Sequence, residues 1–302
     1  MIGPTSSGKS ALAVELARVF NGEIVSADSR QVYKGLDIGT GKITKRETEG
    51  IPHHLIDVAN PRHIFTAAEY VKKANEAISG ILKRRKLPII AGGTAFYIDA
   101  LLGAIPLARV PRNEKLRAAL EKEATESLAK KLERLNPARA KTVDIKNRRR
   151  LIRAIEIALS KTHADRTRVY TEKSQQKLYN ALKIGITIPK ELLREKIQKR
   201  LKMRITQGMV AEARRLHTKG LSYARMEELG LEYRLLARFL QKKITKEEMI
   251  VQLETAIWHY AKRQMTWWKR DKEILWFPLS EKEKGEAIKK TISSFFLPSS
   301  KF

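Results

Sequence analysis

The sequence predicts an α/β fold: a parallel sheet flanked by helices, interrupted by an all-helical insertion domain. Three observations predict it. The run Gly3-Pro4-Thr5-Ser6-Ser7-Gly8-Lys9-Ser10 fits the phosphate-cradling pattern G-x-x-x-x-G-K-[ST]. Short apolar runs alternate with helical patterns through the first third of the chain. From about Pro111 charged helices succeed one another with no strand between them. The first motif makes the sheet P-loop NTPase-like. The expected layout is a first part of the core at 1–110, a helical insertion at 111–180, and a return to the core with C-terminal helices at 181–302.

The elements follow in order. "SALAVELARVF" places Leu12, Leu16 and Val19 at i, i+4 and i+7, an amphipathic helix. "GEIVSADS" reads as a short buried strand ending at Asp28, and "LPIIAGGT" as a second one. Between them lies the helix "TAAEYVKKANEAISGILKRR". The insertion holds "NEKLRAALEKEATESLAKKLERL" and "NRRRLIRAIEIALSK", then the polar stretch "KTHADRTRVYTEKSQQKLYN", which reads as a long loop. "LKIGITIP" restores a strand with Pro189 as its stop. Two long helices, at roughly 190–218 and 246–270, complete the core.

Charge narrows the partners. The chain carries 61 Lys+Arg against 33 Asp+Glu, a formal net charge of +28, which favours a polyanion such as nucleic acid. The arginines and lysines are patterned. On "NRRRLIRAIEIAL", Ile152, Ile155 and Leu159 share one helical face while Arg149, Arg150 and Arg153 cluster on another. In the last long helix Leu253, Ile257, Tyr260, Ala261 and Trp268 form an apolar stripe opposite Lys262, Arg263, Thr266, Lys269 and Arg270. Gln264 falls within that stripe, so burial with hydrogen-bonded partners is expected. There is no cysteine, which excludes disulfides and thiol catalysis, and the adjacent His53 and His54 have no zinc-site spacing. No run approaches the ~20 apolar residues of a membrane span, and a phosphate loop starting at Gly3 leaves no room for a signal peptide. A soluble, cytoplasmic protein with no membrane partner is expected.

The phosphate loop carries the strongest chemistry. Gly3 and Gly8 allow backbone N–H groups to turn inward, Lys9 reaches a terminal phosphate, and the Ser10 hydroxyl suits Mg²⁺. Such a loop alone suggests a bound nucleotide such as ATP. However, an ATP-splitting enzyme wants an apolar strand ending in a metal-holding acid, and "LPIIAGGT" ends in Gly92-Gly93-Thr94. The other strand does end in an acid. Asp28 emerges at the carboxyl edge beside the loop, where it can bind Mg²⁺ through water, serve as a general base, or simply cap a turn.

Taken together, "GPTSSGKS", "SADSRQVYKGLDIGTGK", "PHHLID", "FTAAEY", "IIAGGTAFYI", "NRRRLIRAIEI", "LGLEYR" and "AKRQMTWWKRD" resemble the tRNA dimethylallyltransferase family, from Gly3 to about Phe277. The resemblance implies transfer of a dimethylallyl group from its diphosphate to N6 of an adenine 3′-adjacent to the anticodon. Thr5, Ser6, Ser7, Gly8, Lys9 and Ser10, with Gly3 and Arg200, would then bind the diphosphate, Ser10 holding Mg²⁺. Asp28, Thr94 and Lys9 would be catalytic. Asp28, Ser29, Arg30, Gln31, Thr94, Arg149, Arg150, Leu151, Ile152, Arg153, Lys262, Arg263, Gln264, Trp267 and Lys269 would face the tRNA anticodon stem-loop, and the protein would act as a monomer.

The chain departs from the family pattern in three places. Met1-Ile2 stand where an apolar strand precedes the loop, Arg204 stands where methionine is common, and "KTHADRTRVYTEKSQQ" matches the usual end of the insertion poorly. Three other readings stay open on the residues alone: a P-loop kinase of a small metabolite, a prenyltransferase of free adenine nucleotides, and a non-catalytic RNA-binding protein.

Overall fold

The computed structural model describes residues 1–108, 110–160, 179–278 and 284–296. Most of the stretch read as a long loop, and the end of the tail, lie outside the described residues. Two compact units emerge, one formed by Met1–Leu101 with Tyr179–Phe302 and the other by Leu102–Leu178.

In the first unit, α1 (Lys9–Val19) follows the phosphate loop and leads to β1 (Gly22–Ser26). The one-turn α2 (Lys45–Thr48), the two-residue β2 (His53–His54), α3 (Ala67–Lys83), β3 (Leu87–Ala91) and α4 (Ala95–Leu101) come next. Thr44 and Thr66 each build a capping box with the glutamate three residues on, which fixes where α2 and α3 begin. β1 pairs in parallel with both β2 and β3, the order expected of strands joined by helical crossovers.

The second unit is a helical cluster: α5 (Glu114–Leu120), α6 (Thr125–Leu135), α7 (Pro137–Ala140) and α8 (Arg148–Ala158). Its core is Leu120, Leu128, Leu132, Val143, Leu151, Ile152, Ala154 and Ile155. Glu156 is buried in the same unit and accepts from the Asn113 N–H, from Arg117 and from Arg153. Burial acts to raise its pKa, but the bonds from Arg117, Asn113 and Arg153 overcome this and hold it at about 2.

The chain then returns with β4 (Ile184–Thr187), α9 (Lys190–Thr206), α10 (Met209–Thr218), α11 (Tyr223–Leu229), α12 (Leu231–Leu240), α13 (Lys246–Trp268), β5 (Leu275–Pro278) and α14 (Lys284–Phe296). The helix expected over 190–218 is two helices. Gly208 adopts φ 96° between them, a left-handed conformation that breaks the 3.6-residue path. No helix is long and apolar enough to cross a membrane among the described residues.

Met1 and Ile2 join the two sheets. The Met1 nitrogen donates to the Ile90 carbonyl at 2.5 Å, and Gly92 N–H donates to the Met1 carbonyl at 3.3 Å. On the other side Ile2 N–H donates to Ile184 O at 2.9 Å, and Ile186 N–H to Ile2 O at 3.0 Å. Two residues thus act as the central strand between β3 and β4, pairing on both edges immediately before the phosphate loop. Beneath them, Leu12 and Leu16 of α1 pack on Ile184, Ile186, Ile288 and Ile292, while Ala13, Val14 and Ala17 pack on Ile24. Val19, read as part of the buried stripe, is about half exposed because α1 ends there.

Candidate active site

A cavity of about 340 Å³ opens at the carboxyl edge of β1 and β3, the place where open α/β sheets bind ligands. Residues 5–10 of the phosphate loop line it, together with Asp28, Lys196, Arg200, Tyr260 and Gln264. The loop turns into α1 through Gly8 in the left-handed region, and the Lys9 ammonium folds back onto the Pro4 carbonyl at 2.6 Å. Burial, then repulsion from Arg200, pulls the Lys9 pKa down to about 7, against a smaller opposing pull from Asp28. Ser7 is fully buried, and its hydroxyl has no hydrogen-bond partner among the described residues. An electropositive cradle with an unsatisfied hydroxyl is built to receive an anion.

Asp28 sits two residues beyond β1. Its Oδ1 accepts from the Arg30 N–H at 2.8 Å and the Gln31 N–H at 3.2 Å, an Asx-type turn that fixes the carboxylate. Its Oδ2 is engaged by no hydrogen bond among the described residues, so one acceptor remains for a ligand. Thr94 stands beside it: its Oγ1 accepts the Ser29 N–H at 2.9 Å, and its own N–H donates to Ala27 O at 3.0 Å. The turn after β1 and the end of β3 are therefore stitched together at the site.

Gln264 ties the phosphate loop to the sheet. Its Oε1 accepts the Thr5 N–H at 2.8 Å, and its Nε2 donates to the Gly93 carbonyl at 2.9 Å. A Cβ at position 93 would lie 2.1 Å from Gln264 Nε2, so any larger residue there would push the Gln264 amide off its two hydrogen bonds. Tyr260, one turn earlier on α13, lines the cavity and donates to the same Gly93 carbonyl at 3.4 Å. Burial, reinforced by the Asp28 charge, raises the pKa of the Tyr260 hydroxyl far above its usual range and keeps it protonated.

Arg200 reaches the cavity from α9, with Nη2 donating to the Gly41 carbonyl at 2.8 Å, and Gln31 Nε2 donates to that same carbonyl at 3.3 Å. Gly41 has φ 58°, a left-handed conformation that favours glycine, and an added Cβ would come within 2.5 Å of Arg200 Nη2, so a side chain there would displace the arginine from the Gly41 carbonyl. The loop before it is pinned by Glu212, only 1% exposed, whose carboxylate accepts the N–H groups of Asp37, Ile38 and Gly39 at 2.8–3.0 Å and the Tyr233 hydroxyl at 2.7 Å. Arg204, the departure from the family pattern, is buried and donates to Gly39 O at 2.9 Å and to Glu232 at 3.0 Å.

The structure brings Thr5 to Ser10, Asp28, Gln31, Arg200 and Gln264 to one cavity. Gly3 precedes it in the loop, and Ser29, Arg30 and Thr94 adjoin Asp28 through backbone and hydroxyl bonds. Lys262 and Arg263 on α13, and Lys269 at its C-terminal cap, are exposed, whereas Trp267 is half-buried and donates from Nε1 to Asp99 at 2.7 Å. In the helical unit Arg149 and Arg150 are exposed, Arg153 bonds Glu156 and the Val110 carbonyl, and the side chains of Leu151 and Ile152 lie in the core.

Sequence reasoning missed Lys196, Tyr260 and Glu212. Lys196 had a readable signal, since it stands four residues before Arg200 on one helix. Glu212 had one too, a carboxylate among Met209, Ala213 and Leu216 on an apolar stripe.

Comparison with known proteins agrees with this geometry. The IPP transferase family pattern matches residues 31–271. A tRNA dimethylallyltransferase 2 of Treponema denticola is 44% identical over 272 residues, 89% of this chain and 90% of that protein. The crystal structure of the full-length tRNA isopentenylpyrophosphate transferase of Bacillus halodurans superposes with a TM-score of 0.72 at 33% identity, covering 97% of this chain and 94% of that one. A eukaryotic dimethylallyltransferase solved acting on tRNA gives a TM-score of 0.84 at 25% identity over 98% of this chain and 78% of its own. A parallel sheet whose two halves are joined at Ile2, a phosphate loop facing an acid across one cavity, and likeness along nearly the whole chain converge: this protein belongs to the IPP transferase family.

Proposed function

We propose that this chain is a tRNA prenyltransferase that moves a dimethylallyl group from dimethylallyl diphosphate to N6 of the adenine 3′-adjacent to the anticodon. Its family's activity is tRNA prenyl transfer. The observation that carries the finer reading is the single cavity in which the phosphate loop faces Asp28 and Arg200. The loop N–H groups, Lys9 and Arg200 hold the diphosphate and stabilise the charge that builds on it as the allylic C–O bond breaks. The N6 lone pair forms the new C–N bond, and the N6 proton passes to Asp28 Oδ2, the oxygen left unengaged by the Asx turn. Thr94 holds the turn that carries Asp28, so the base is rigid before substrate arrives. An adenine must leave its stack to enter a cavity of this size.

A magnesium ion fits the same site. The Ser10 hydroxyl is exposed and engaged by no hydrogen bond among the described residues, so it offers one oxygen ligand and leaves the rest of an octahedral shell open. Ser10 would hold the ion with diphosphate oxygens and water completing its shell, as Mg²⁺ prefers. The ion supplies charge neutralisation for the leaving diphosphate. The protein acts as a cytoplasmic monomer in this reading.

The test is product identity. Purified protein, Mg²⁺ and dimethylallyl diphosphate are incubated with unmodified tRNA, with AMP alone, or with ATP in place of the allyl donor. Mass analysis of the nucleosides should find dimethylallyl-adenosine in tRNA alone, next to the anticodon. Prenylated AMP, or ATP turnover without prenyl transfer, would replace this reading with a nucleotide prenyltransferase or a kinase.

A further inference from the structure

We propose that Phe96 is a stacking platform for the RNA base next to the flipped adenine, a positioning residue at the edge of the site; this rests on the tRNA reading above. Phe96 is 42% exposed, although Tyr97, Ile98, Ala100 and Leu101 of the same helix, α4, are buried. The inner side of α4 is already filled. Tyr97 stacks on Tyr70 with ring centroids 4.2 Å apart, and its hydroxyl donates to the Phe65 carbonyl at 3.3 Å. Phe96 therefore keeps a large apolar face in solvent beside the site, where an exposed aromatic ring is informative.

Its place follows from hydrogen bonds on either side. Thr94, two residues earlier, donates to Ala27 O and accepts the Ser29 N–H, so the Phe96 Cα lies within about 8 Å of the residue that holds the Asp28 turn. Helix α4 runs beside α13 in the same direction: Tyr260 and Gln264 donate to Gly93 O, and Trp267 donates to Asp99. Phe96, one turn before Asp99, thus stands level with Arg263, one turn before Trp267. Arg263 is exposed, as are Lys262, Lys269 and Arg270 along the same stretch. An aromatic face flanked by cations suits single-stranded RNA, whose phosphates meet the cations while a base stacks on the ring. An adenine that flips into the cavity leaves its neighbour's face without a stacking partner, and Phe96 supplies one. The basic flank, on a chain of net charge +28, selects RNA as the occupant over an apolar protein surface.

Fluorescence titration of the full chain with an anticodon stem-loop RNA tests this, the RNA carrying 2-aminopurine at one or the other neighbour of the target adenine. Wild type should quench one of the two probes on binding. Phe96→Ala should abolish that quenching and weaken binding about 5- to 100-fold, the range of one lost base–aromatic stack. Phe96→Tyr should stay within about threefold of wild type and keep the quenching. The salt slope, the pyrophosphate affinity and the melting temperature should not move in either variant, because no phosphate contact and no buried group is removed. Quenching of neither probe by wild type, quenching that survives Phe96→Ala, or an affinity loss that comes with a shallower salt slope would each overturn the proposal. Wild type that binds the stem-loop with Phe96-dependent quenching but does not prenylate it would instead sink the functional reading and leave the platform standing. Wild type that binds no stem-loop would remove both.

Discussion

Gln264 donates to the Gly93 carbonyl at 2.9 Å while accepting the Thr5 N–H at 2.8 Å, so one buried amide joins the phosphate loop to the end of β3. Replacing it by leucine fills the space but leaves both backbone groups without partners. Gln264→Leu should cost about 1–3 kcal/mol in urea unfolding. It should also raise the KM for dimethylallyl diphosphate, because the loop loses its tie to the sheet. Equal stability and an unchanged KM would show that the loop is held elsewhere, by Met1 and Ile2 alone.

Glu212 has a larger structural burden. Three consecutive N–H groups and the Tyr233 hydroxyl converge on its carboxylate in a buried setting. Glu212→Ala orphans all four donors and should destabilise the protein by about 3–5 kcal/mol. Hydrogen exchange at Asp37, Ile38 and Gly39 should accelerate ahead of the sheet. Protection retained at those three amides would contradict the assignment.

The basic faces separate by partner. Arg149 and Arg150 are exposed, whereas Arg153 bonds Glu156 and Val110 O. Arg149→Gln with Arg150→Gln should lower tRNA affinity and reduce the salt slope by about 1 for each phosphate no longer neutralised, with no change in melting temperature. Arg153→Gln should lower the melting temperature first. The reverse pattern would assign Arg153 to the RNA and its neighbours to solvent.

Acid should loosen the helical unit through Glu156. Its pKa is about 2 in the folded chain against an ordinary 4.5, so it contributes stability that is fully present above about pH 4.5. That contribution is lost as pH falls toward 2. Glu156→Gln should flatten the stability profile of the unit between those values. An identical acid profile in wild type and variant would mean that other carboxylates set it.

The sequence placed more of the cavity's lining residues than of the scaffold that holds them. Lys9, Ser10 and Asp28 were legible because motif spacing and strand ends impose their positions, and Gln264 because a polar residue in an apolar stripe must find partners. The break at Gly208 was hidden, since one glycine within a continuous helical period does not announce its φ. The joining of two sheets by Met1 and Ile2 was hidden as well, because two residues carry no strand periodicity and their pairing depends on Ile90, Gly92, Ile184 and Ile186 from distant parts of the chain. The burial of Glu212 was signalled by its place on an apolar stripe, but its partners were hidden. Its acceptors match donors about 175 residues away in sequence.

The measurement that bears most directly on the account is the single-turnover rate of prenyl transfer to tRNA by wild type and Asp28→Asn, with pyrophosphate and tRNA affinities measured in parallel. The amide retains the Asx turn through its oxygen but cannot take the N6 proton. The account predicts a rate lower by about 10²- to 10⁴-fold with both affinities within about threefold of wild type. A rate near that of wild type would contradict it, and would move the base away from Asp28.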